Sequence, residues 1–168
     1  HSGAGSIWQV DAALRPEGDA GPLVRTLASM AEYYRTWARN WEFQALLKAR
    51  PMAGDIELGE QFCALVAPLV WQVAERDGVV GESRAMRTRV VDHIARKNRD
   101  HEIKLGAGGL RDVEFTVQLL QLVHGRQDAS LRVRSTFDAL RSLSAGGYIG
   151  RADAQRLLSA YRFERLLE

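Results

Sequence analysis

Two stretches of the sequence carry residue types that bind metal or phosphate in other proteins. Asp11 ends an alternating apolar and polar segment, residues 7–12, that predicts a half-buried strand. A carboxylate in that position fits a Mg²⁺ ligand of a two-metal phosphoryl-transfer site. Arg15, fixed after the strand by Pro16, fits a phosphate contact. A lone aspartate at a strand end is more often solvated or caps a loop, and Arg15 fits an ordinary loop arginine equally well, so the pattern alone does not establish a site.

The second stretch is glycine-rich, residues 106–109, and lies between Lys104 and a strongly apolar segment. Free N–H groups at such a helix start favour an anion, although glycines also serve turns and close packing. Polar residues then recur at spacings of three, four and three, which places on one helix face Arg111, Glu114, Gln118 and Gln121. Because buried polar groups need partners, this face should meet either a neighbouring helix or a site.

The elements that position these residues are one strand followed by helices. A loop is predicted over residues 14–22, since it holds two prolines and two glycines. Helical periodicity then covers residues 23–50 with a break near Asn40, and four further segments: 58–74, 83–98, 135–144 and 151–167, besides the helix after Gly109. A single strand cannot form a sheet, so we expect the chain to be a piece of a longer protein.

The composition excludes several classes of protein. The chain has 168 residues, 46% hydrophobic and 26% charged, with a net charge of +2. Those values are typical of an ordinary globular protein and give no reason to expect nucleic acid or a membrane as a partner. One cysteine excludes an internal disulfide. The sequence shows neither a long apolar run nor a secretory leader, so a cytoplasmic location is expected.

Four segments, in this order, give the chain a resemblance to a known family. They are residues 10–18 with 21–24, residues 41–50 (Trp-Glu-Phe-Gln-Ala-Leu-Leu-Lys-Ala-Arg) with 53–55, residues 103–115, and residues 121–125. Over nearly its whole length the chain resembles the bacterial bifunctional glutamine synthetase adenylyltransferase/adenylyl-removing enzymes. The form of residues 104–112, Lys-Leu-Gly-Ala-Gly-Gly-Leu-Arg-Asp, is most similar to the N-terminal, adenylyl-removing half of that family.

The resemblance implies a mainly α fold. It implies a helical bundle domain, residues 23–168, preceded by the last strand and loop of a polymerase-β-like nucleotidyltransferase domain, residues 1–22. It implies a cytoplasmic, multifunctional transferase that controls nitrogen metabolism, with Mg²⁺ as cofactor and ATP, ADP and phosphate as substrates or products. Glutamine synthetase would be the partner, together with the PII signal protein as a regulator.

The resemblance also assigns site residues. Asp11 matches the third metal-binding aspartate of the catalytic domain, and Arg15 remains as a phosphate contact where the family's second arginine is replaced by Ala13. Three residues would line the cleft where the helical domain meets the catalytic domain and bind the nucleotide: Lys104, Arg111 and Glu114. The paired carboxylates of that catalytic domain are absent from this sequence, so the chain alone is expected to have no turnover.

Two alternatives remain open at the level of sequence. The related nucleotidyltransferase that uridylylates PII has a similar helical domain, and the residues 41–50 favour the adenylyl enzyme without excluding it. The second alternative is a non-catalytic helical protein-interaction module, in which Asp11 would be merely structural.

Overall fold

The computed structural model describes residues 11–92 and 102–168, which are mainly α-helical. Within those ranges there are seven α-helices and no β-strand: α1 Leu27–Thr36, α2 Asn40–Leu46, α3 Ile56–Gln72, α4 Val79–Asp92, α5 Leu110–His124, α6 Thr136–Ala145 and α7 Arg151–Leu167. The mainly α prediction is therefore confirmed. Most of the predicted strand, residues 7–10, lies outside the described residues, and Asp11 and Ala12 have no regular secondary structure.

Local capping sets where several helices begin. The Thr26 hydroxyl accepts the Ser29 N–H at 3.2 Å, Asp55 accepts the Leu58 N–H at 3.0 Å, and Ser135 accepts the Asp138 N–H at 3.3 Å. Each side chain satisfies an N–H that has no partner inside its helix. These i to i+3 contacts explain why α1, α3 and α6 begin close to where the periodicity placed them.

The structure tests two predicted helix boundaries, the break near Asn40 and the start of α4. The break expected near Asn40 is confirmed, since α1 ends at Thr36 and α2 begins at Asn40. The predicted start at residue 83 was wrong, because α4 already begins at Val79, and the Glu82 N–H donates to the Gly78 carbonyl at 2.8 Å. Among the described residues, no helix is both long and apolar enough to cross a membrane.

The chain divides into two compact units, one up to Ala38 and one from Arg39 to Glu168. In the described part of the first unit, a loop precedes α1. The second unit is built around α5, which contacts α2, α3, α4, α6 and α7. That central position explains why α5 is apolar on most sides. The division expected after residue 22, between the end of a nucleotidyltransferase domain and the helical domain, stays a prediction.

The core of the second unit lies between α5, α6 and α7. Its fully covered side chains include Leu110, Val117, Leu131, Leu140 and Leu143, with Tyr161 packed among them. This core holds the polar face of α5 in one orientation relative to its neighbours. The candidate site residues of the second unit are therefore positioned by apolar packing.

Candidate functional site

Asp11 lies on an exposed, irregular segment of the first unit. One carboxylate oxygen, Oδ1, accepts the N–H of Ala13 at 2.8 Å, which turns the chain immediately after Asp11. No described residue donates to the second oxygen, Oδ2. Oδ2 is therefore available to solvent, and a carboxylate oxygen of this kind is a suitable ligand for a hard cation.

Arg15 stabilises the loop that follows Asp11 by hydrogen bonds to its backbone. Its Nε donates to the carbonyl of Gly21 at 3.1 Å, Nη1 donates to that of Ala12 at 2.7 Å, and Nη2 donates to that of Asp19 at 3.2 Å. Nη1 also meets the Asp19 carboxylate at 3.4 Å, and the side chain is only 19% exposed. Of the five guanidinium N–H groups, one remains for a ligand.

The glycine-rich segment packs tightly against its own chain. The N–H groups of Leu110 and Arg111 donate to the carbonyls of Ile103 and Lys104, both at 3.0 Å. A Cβ on Gly109 would lie 2.2 Å from the Ile103 oxygen, so only glycine fits there. Because these first N–H groups of α5 already have partners, the arrangement supports the close-packing interpretation over an anion site at the helix start.

Arg87 and Asp112 fix this segment, and sequence reasoning gave neither residue a role. Arg87 on α4 donates to the Asp112 carboxylate at 2.5 Å, and to the carbonyls of Leu105 at 3.0 Å and Gly106 at 2.8 Å. The other oxygen of Asp112 accepts the N–H of Gly108 at 2.6 Å. Asp112 is recognisable as an acidic residue in the first turn of a helix, but no local signal identifies a partner 25 residues away.

Lys104 and Arg111 lie on the surface near the end of α7. Lys104 Nζ is 2.7 Å from Oε1 of Glu168, which also pairs with Arg165. The hydrogen bond from Lys104 is the main cause that lowers the pKa of Glu168, and the charges of Lys104, Arg165 and Arg111 add to it. The two predicted residues are thus brought together in a group of three exposed cations around one carboxylate. Because Arg111 also pairs with the Glu114 carboxylate, three cations stand against two carboxylates here, and the net positive charge is small.

Glu114 is largely covered and has three partners. Its carboxylate accepts from Arg111 Nη1 at 3.0 Å and from the Tyr161 hydroxyl at 2.9 Å, and Lys48 Nζ lies 3.8 Å away. Lys48 also donates to the Thr136 hydroxyl at 3.0 Å. Burial, chiefly, and the contact with Glu114 raise the pKa of Tyr161. Glu114 therefore joins α5 to α7 and to the segment after α2.

The two glutamines of the polar face are also paired. Gln118 accepts from Gln44 at 3.0 Å, and Gln121 donates to the carbonyls of Leu131 and Val133, each at 2.7 Å. The interpretation that neighbouring structure satisfies this face is confirmed for both residues. Only the end of the face at Arg111 stays open to solvent.

The described residues contain no cluster of three or more histidine, cysteine, aspartate or glutamate side chains that would hold a metal by themselves. The structure brings together Lys104, Arg111 and Glu114 in the second unit, while in the first unit Arg15 donates to the carbonyl of Ala12, the residue after Asp11. In chemical terms, the first unit offers an exposed carboxylate next to a loop that Arg15 stabilises, and the second offers surface cations that are paired with carboxylates.

Comparison with protein families gives a match in each half of the chain. Residues 84–168 match the family described as "GlnD PII-uridylyltransferase", and residues 1–65 match the family described as "Glutamate-ammonia ligase adenylyltransferase". Three curated relatives carry the name bifunctional glutamine synthetase adenylyltransferase/adenylyl-removing enzyme. The Cutibacterium acnes protein is 73% identical over the whole chain, that of Streptomyces avermitilis is 65% identical over 98% of it, and that of Mycobacterium tuberculosis is 59% identical over 97%.

The chain belongs to the family of bifunctional glutamine synthetase adenylyltransferase/adenylyl-removing enzymes. It spans 17% of the length of the Cutibacterium acnes relative and 16% of the other two.

Proposed function

We propose that this chain is part of a cytoplasmic enzyme that regulates glutamine synthetase by adding AMP to it and removing AMP from it. The observation that carries the proposal is the 73% identity, along the entire chain, to a protein named for both activities. The form of residues 104–112 favours the adenylyl-removing half. In this proposal residues 1–22 end a polymerase-β-like nucleotidyltransferase domain, and residues 23–168 form the helical domain after it.

The reaction would be a phosphorolysis of adenylylated glutamine synthetase. An oxygen of inorganic phosphate forms a bond to the phosphorus of the AMP group, and the bond from that phosphorus to the tyrosine oxygen breaks. The departing tyrosine oxygen takes up a proton, so the products are ADP and a free tyrosine hydroxyl. A reaction of this kind requires mainly positioning and stabilisation of negative charge.

Asp11 would be one ligand of Mg²⁺. Its exposed position and its Oδ2 atom, to which no described residue donates, fit a single oxygen ligand of a hard cation. The remaining ligands would come from outside the described residues. When bound, Mg²⁺ would neutralise charge on the phosphoryl group.

Arg15 would have two roles. It would stabilise the loop that follows Asp11, and its one remaining N–H would contact phosphate. Lys104 and Arg111 would attract the nucleotide or phosphate to the surface of the helical domain. Glu114 would hold Arg111 in place at 3.0 Å.

The test is ADP release from adenylylated glutamine synthetase by the longer protein that contains this chain. We expect Asp11→Asn to abolish ADP release, and we expect Asp153→Asn, which removes an exposed carboxylate at the start of α7, to leave it unchanged. Normal turnover by the Asp11→Asn variant would contradict the metal role.

A second candidate function is favoured by one specific observation, the match of residues 84–168 to the PII-uridylyltransferase family. In that case the longer protein would transfer UMP to PII. Parallel assays with ATP and glutamine synthetase, and with UTP and PII, separate the two functions. PII would otherwise serve as a regulator of the adenylyl enzyme.

A further inference from the structure

A partly open cavity in the second unit is lined by none of the five candidate site residues. It measures about 420 Å³ and is formed by the end of α2, one side of α3 and residues 132–134. Polar and apolar groups line it in nearly equal measure, and the apolar side is formed by Leu46, Val66, Val70 and Trp71. A volume of this size lies within the range of about 300–1,000 Å³ that is typical of small-molecule sites.

Two arginines line the same cavity. Arg132 donates through Nε to the Gly125 carbonyl at 2.8 Å and through Nη2 to that of Arg126 at 3.0 Å, and its guanidinium lies over the Trp71 ring at 5.4 Å. Arg134 donates through Nε to the Ala49 carbonyl at 2.9 Å. Backbone carbonyls therefore hold both guanidinium groups in defined positions.

The charge of these two arginines is not neutralised within the described part of the chain. Neither guanidinium has a carboxylate partner among the described residues, and the hydrogen bonds that each one makes go to backbone carbonyls. Arg134 keeps both terminal nitrogens and Arg132 keeps Nη1 for a further acceptor. Oriented terminal N–H groups of arginine match the two oxygens of a carboxylate.

We propose that this cavity binds a small organic carboxylate whose other end is hydrocarbon or aromatic. The carboxylate would accept from Arg134 and Arg132, and the apolar end would lie against Val66, Val70 and Trp71. This inference does not depend on the proposed enzymatic function, because none of these residues takes part in it.

The single cysteine of the chain provides the measurement. Cys63 lines the cavity and is only partly exposed, so a bound molecule should shield its thiol. The experiment measures the rate at which iodoacetamide alkylates Cys63, with phenylbutyrate as the probe. Its neutral isostere phenylbutanamide tests the need for charge, and inorganic phosphate tests the need for an apolar end.

We expect phenylbutyrate to slow alkylation in a saturable way, with a dissociation constant of about 1 mM or lower. We expect phenylbutanamide to require a concentration about ten times higher, because it lacks the charge-assisted hydrogen bonds. Inorganic phosphate should give no protection. Equal protection by the amide, equal protection by phosphate, or no protection by phenylbutyrate would each overturn the proposal, and none of these comparisons requires a variant.

Two variants locate the site. Arg134→Gln should raise the dissociation constant of phenylbutyrate about tenfold. The matched control Arg141→Gln removes an exposed arginine on α6, away from the cavity, and should leave the constant unchanged. Ala67→Phe should fill the cavity from α3 and abolish protection while both arginines remain. Wild-type affinity in both Arg134→Gln and Ala67→Phe would show that the molecule binds elsewhere.

Discussion

The side chain of Gln44 donates to Gln118 at 3.0 Å although the two residues lie 74 positions apart. Both glutamines are buried, and Gln44 in turn accepts from the Ser83 hydroxyl at 2.9 Å. This pair connects α2, which carries the first part of residues 41–50, to α5, which follows the glycine-rich segment. One segment of the family resemblance, residues 41–50, is thus joined to α5 between two others, residues 103–115 and 121–125.

Gln118→Leu should lower the free energy of unfolding by about 1–3 kcal/mol, because it leaves a buried N–H of Gln44 without an acceptor. Urea denaturation measures the change. Gln72→Leu, at an exposed position at the end of α3, is the control and should have little effect. Equal stability of the two variants would show that the buried hydrogen bond contributes nothing measurable.

Arg87→Met should release the glycine-rich segment, since the arginine holds two of its carbonyls and Asp112. Hydrogen exchange should show faster exchange at the amides of residues 106–109, with the amides of α7 unaffected. Arg84→Met removes an exposed arginine from the same helix and should leave exchange unchanged. Unaltered protection of these amides in the Arg87 variant would show that Arg87 does not hold the glycine-rich segment.

Tyr161→Phe should cost about 1–2 kcal/mol at neutral pH through the loss of its hydrogen bond to Glu114. Burial raises the pKa of Tyr161, so the folded state favours the neutral phenol. That contribution is complete below the ordinary tyrosine pKa of about 10 and is lost as pH rises through the folded-state value. The wild type should therefore lose stability more steeply than the variant above about pH 10. Parallel curves for the two proteins in alkaline urea titrations would contradict this expectation.

Glu164→Gln should stabilise the protein near neutral pH. Burial, chiefly, and the neighbouring charge of Asp112 raise the pKa of Glu164, and its Oε2 is buried without a hydrogen-bond partner among the described residues. A raised carboxyl pKa means that the ionised form opposes folding, so the penalty is absent at low pH and grows as pH rises through the folded-state value. The gain should stay below about 1 kcal/mol, because solvent screens a partly exposed group.

Thermal melts at a series of pH values test this expectation. The difference in Tm between Glu164→Gln and the wild type should narrow as the solution is made acidic. Glu60→Gln, on the exposed side of α3, is the matched control and should show no such trend. A destabilised Glu164→Gln protein at neutral pH would indicate that the carboxylate has a favourable partner.

Arg15→Lys should loosen the loop after Asp11 because an ammonium group cannot reach the carbonyls of Ala12, Asp19 and Gly21 together. We expect faster amide exchange at Gly18 and Gly21 and, in the phosphorolysis proposed for the longer protein, a lower kcat with a largely unchanged KM for phosphate. If Arg15 acts only as a phosphate contact, the KM rises instead while the amides stay protected.

Much of the helical framework could be predicted from the sequence because its signals are local. Thr26 and Ser135 satisfy N–H groups three residues further on, and the break between α1 and α2 lies where the periodicity weakened. The start of α4 could not be predicted in this way, since the sequence from residue 76 to 81 is also typical of a turn.

The candidate site could be predicted only in part. The residue pattern singled out Asp11 and Arg15 and the polar side chains around the glycine-rich segment, and the family resemblance gave them roles; the structure places Lys104, Arg111 and Glu114 close together. Nothing in the sequence indicated that most N–H groups of Arg15 donate to carbonyls of its own loop. The positions of Ala12 and Gly21 depend on how that loop folds back.

By itself the sequence determined the helices, the polar line along α5 and the membership of a family, since each depends on residue types at short spacings or on their order. Only the tertiary structure decided which partner each polar residue has. Gln118 meets Gln44, Asp112 meets Arg87, and Arg134 remains without an acid in the described chain. The physical reason is that these contacts join residues far apart in sequence, and the packing of the apolar core around α5 sets their distances.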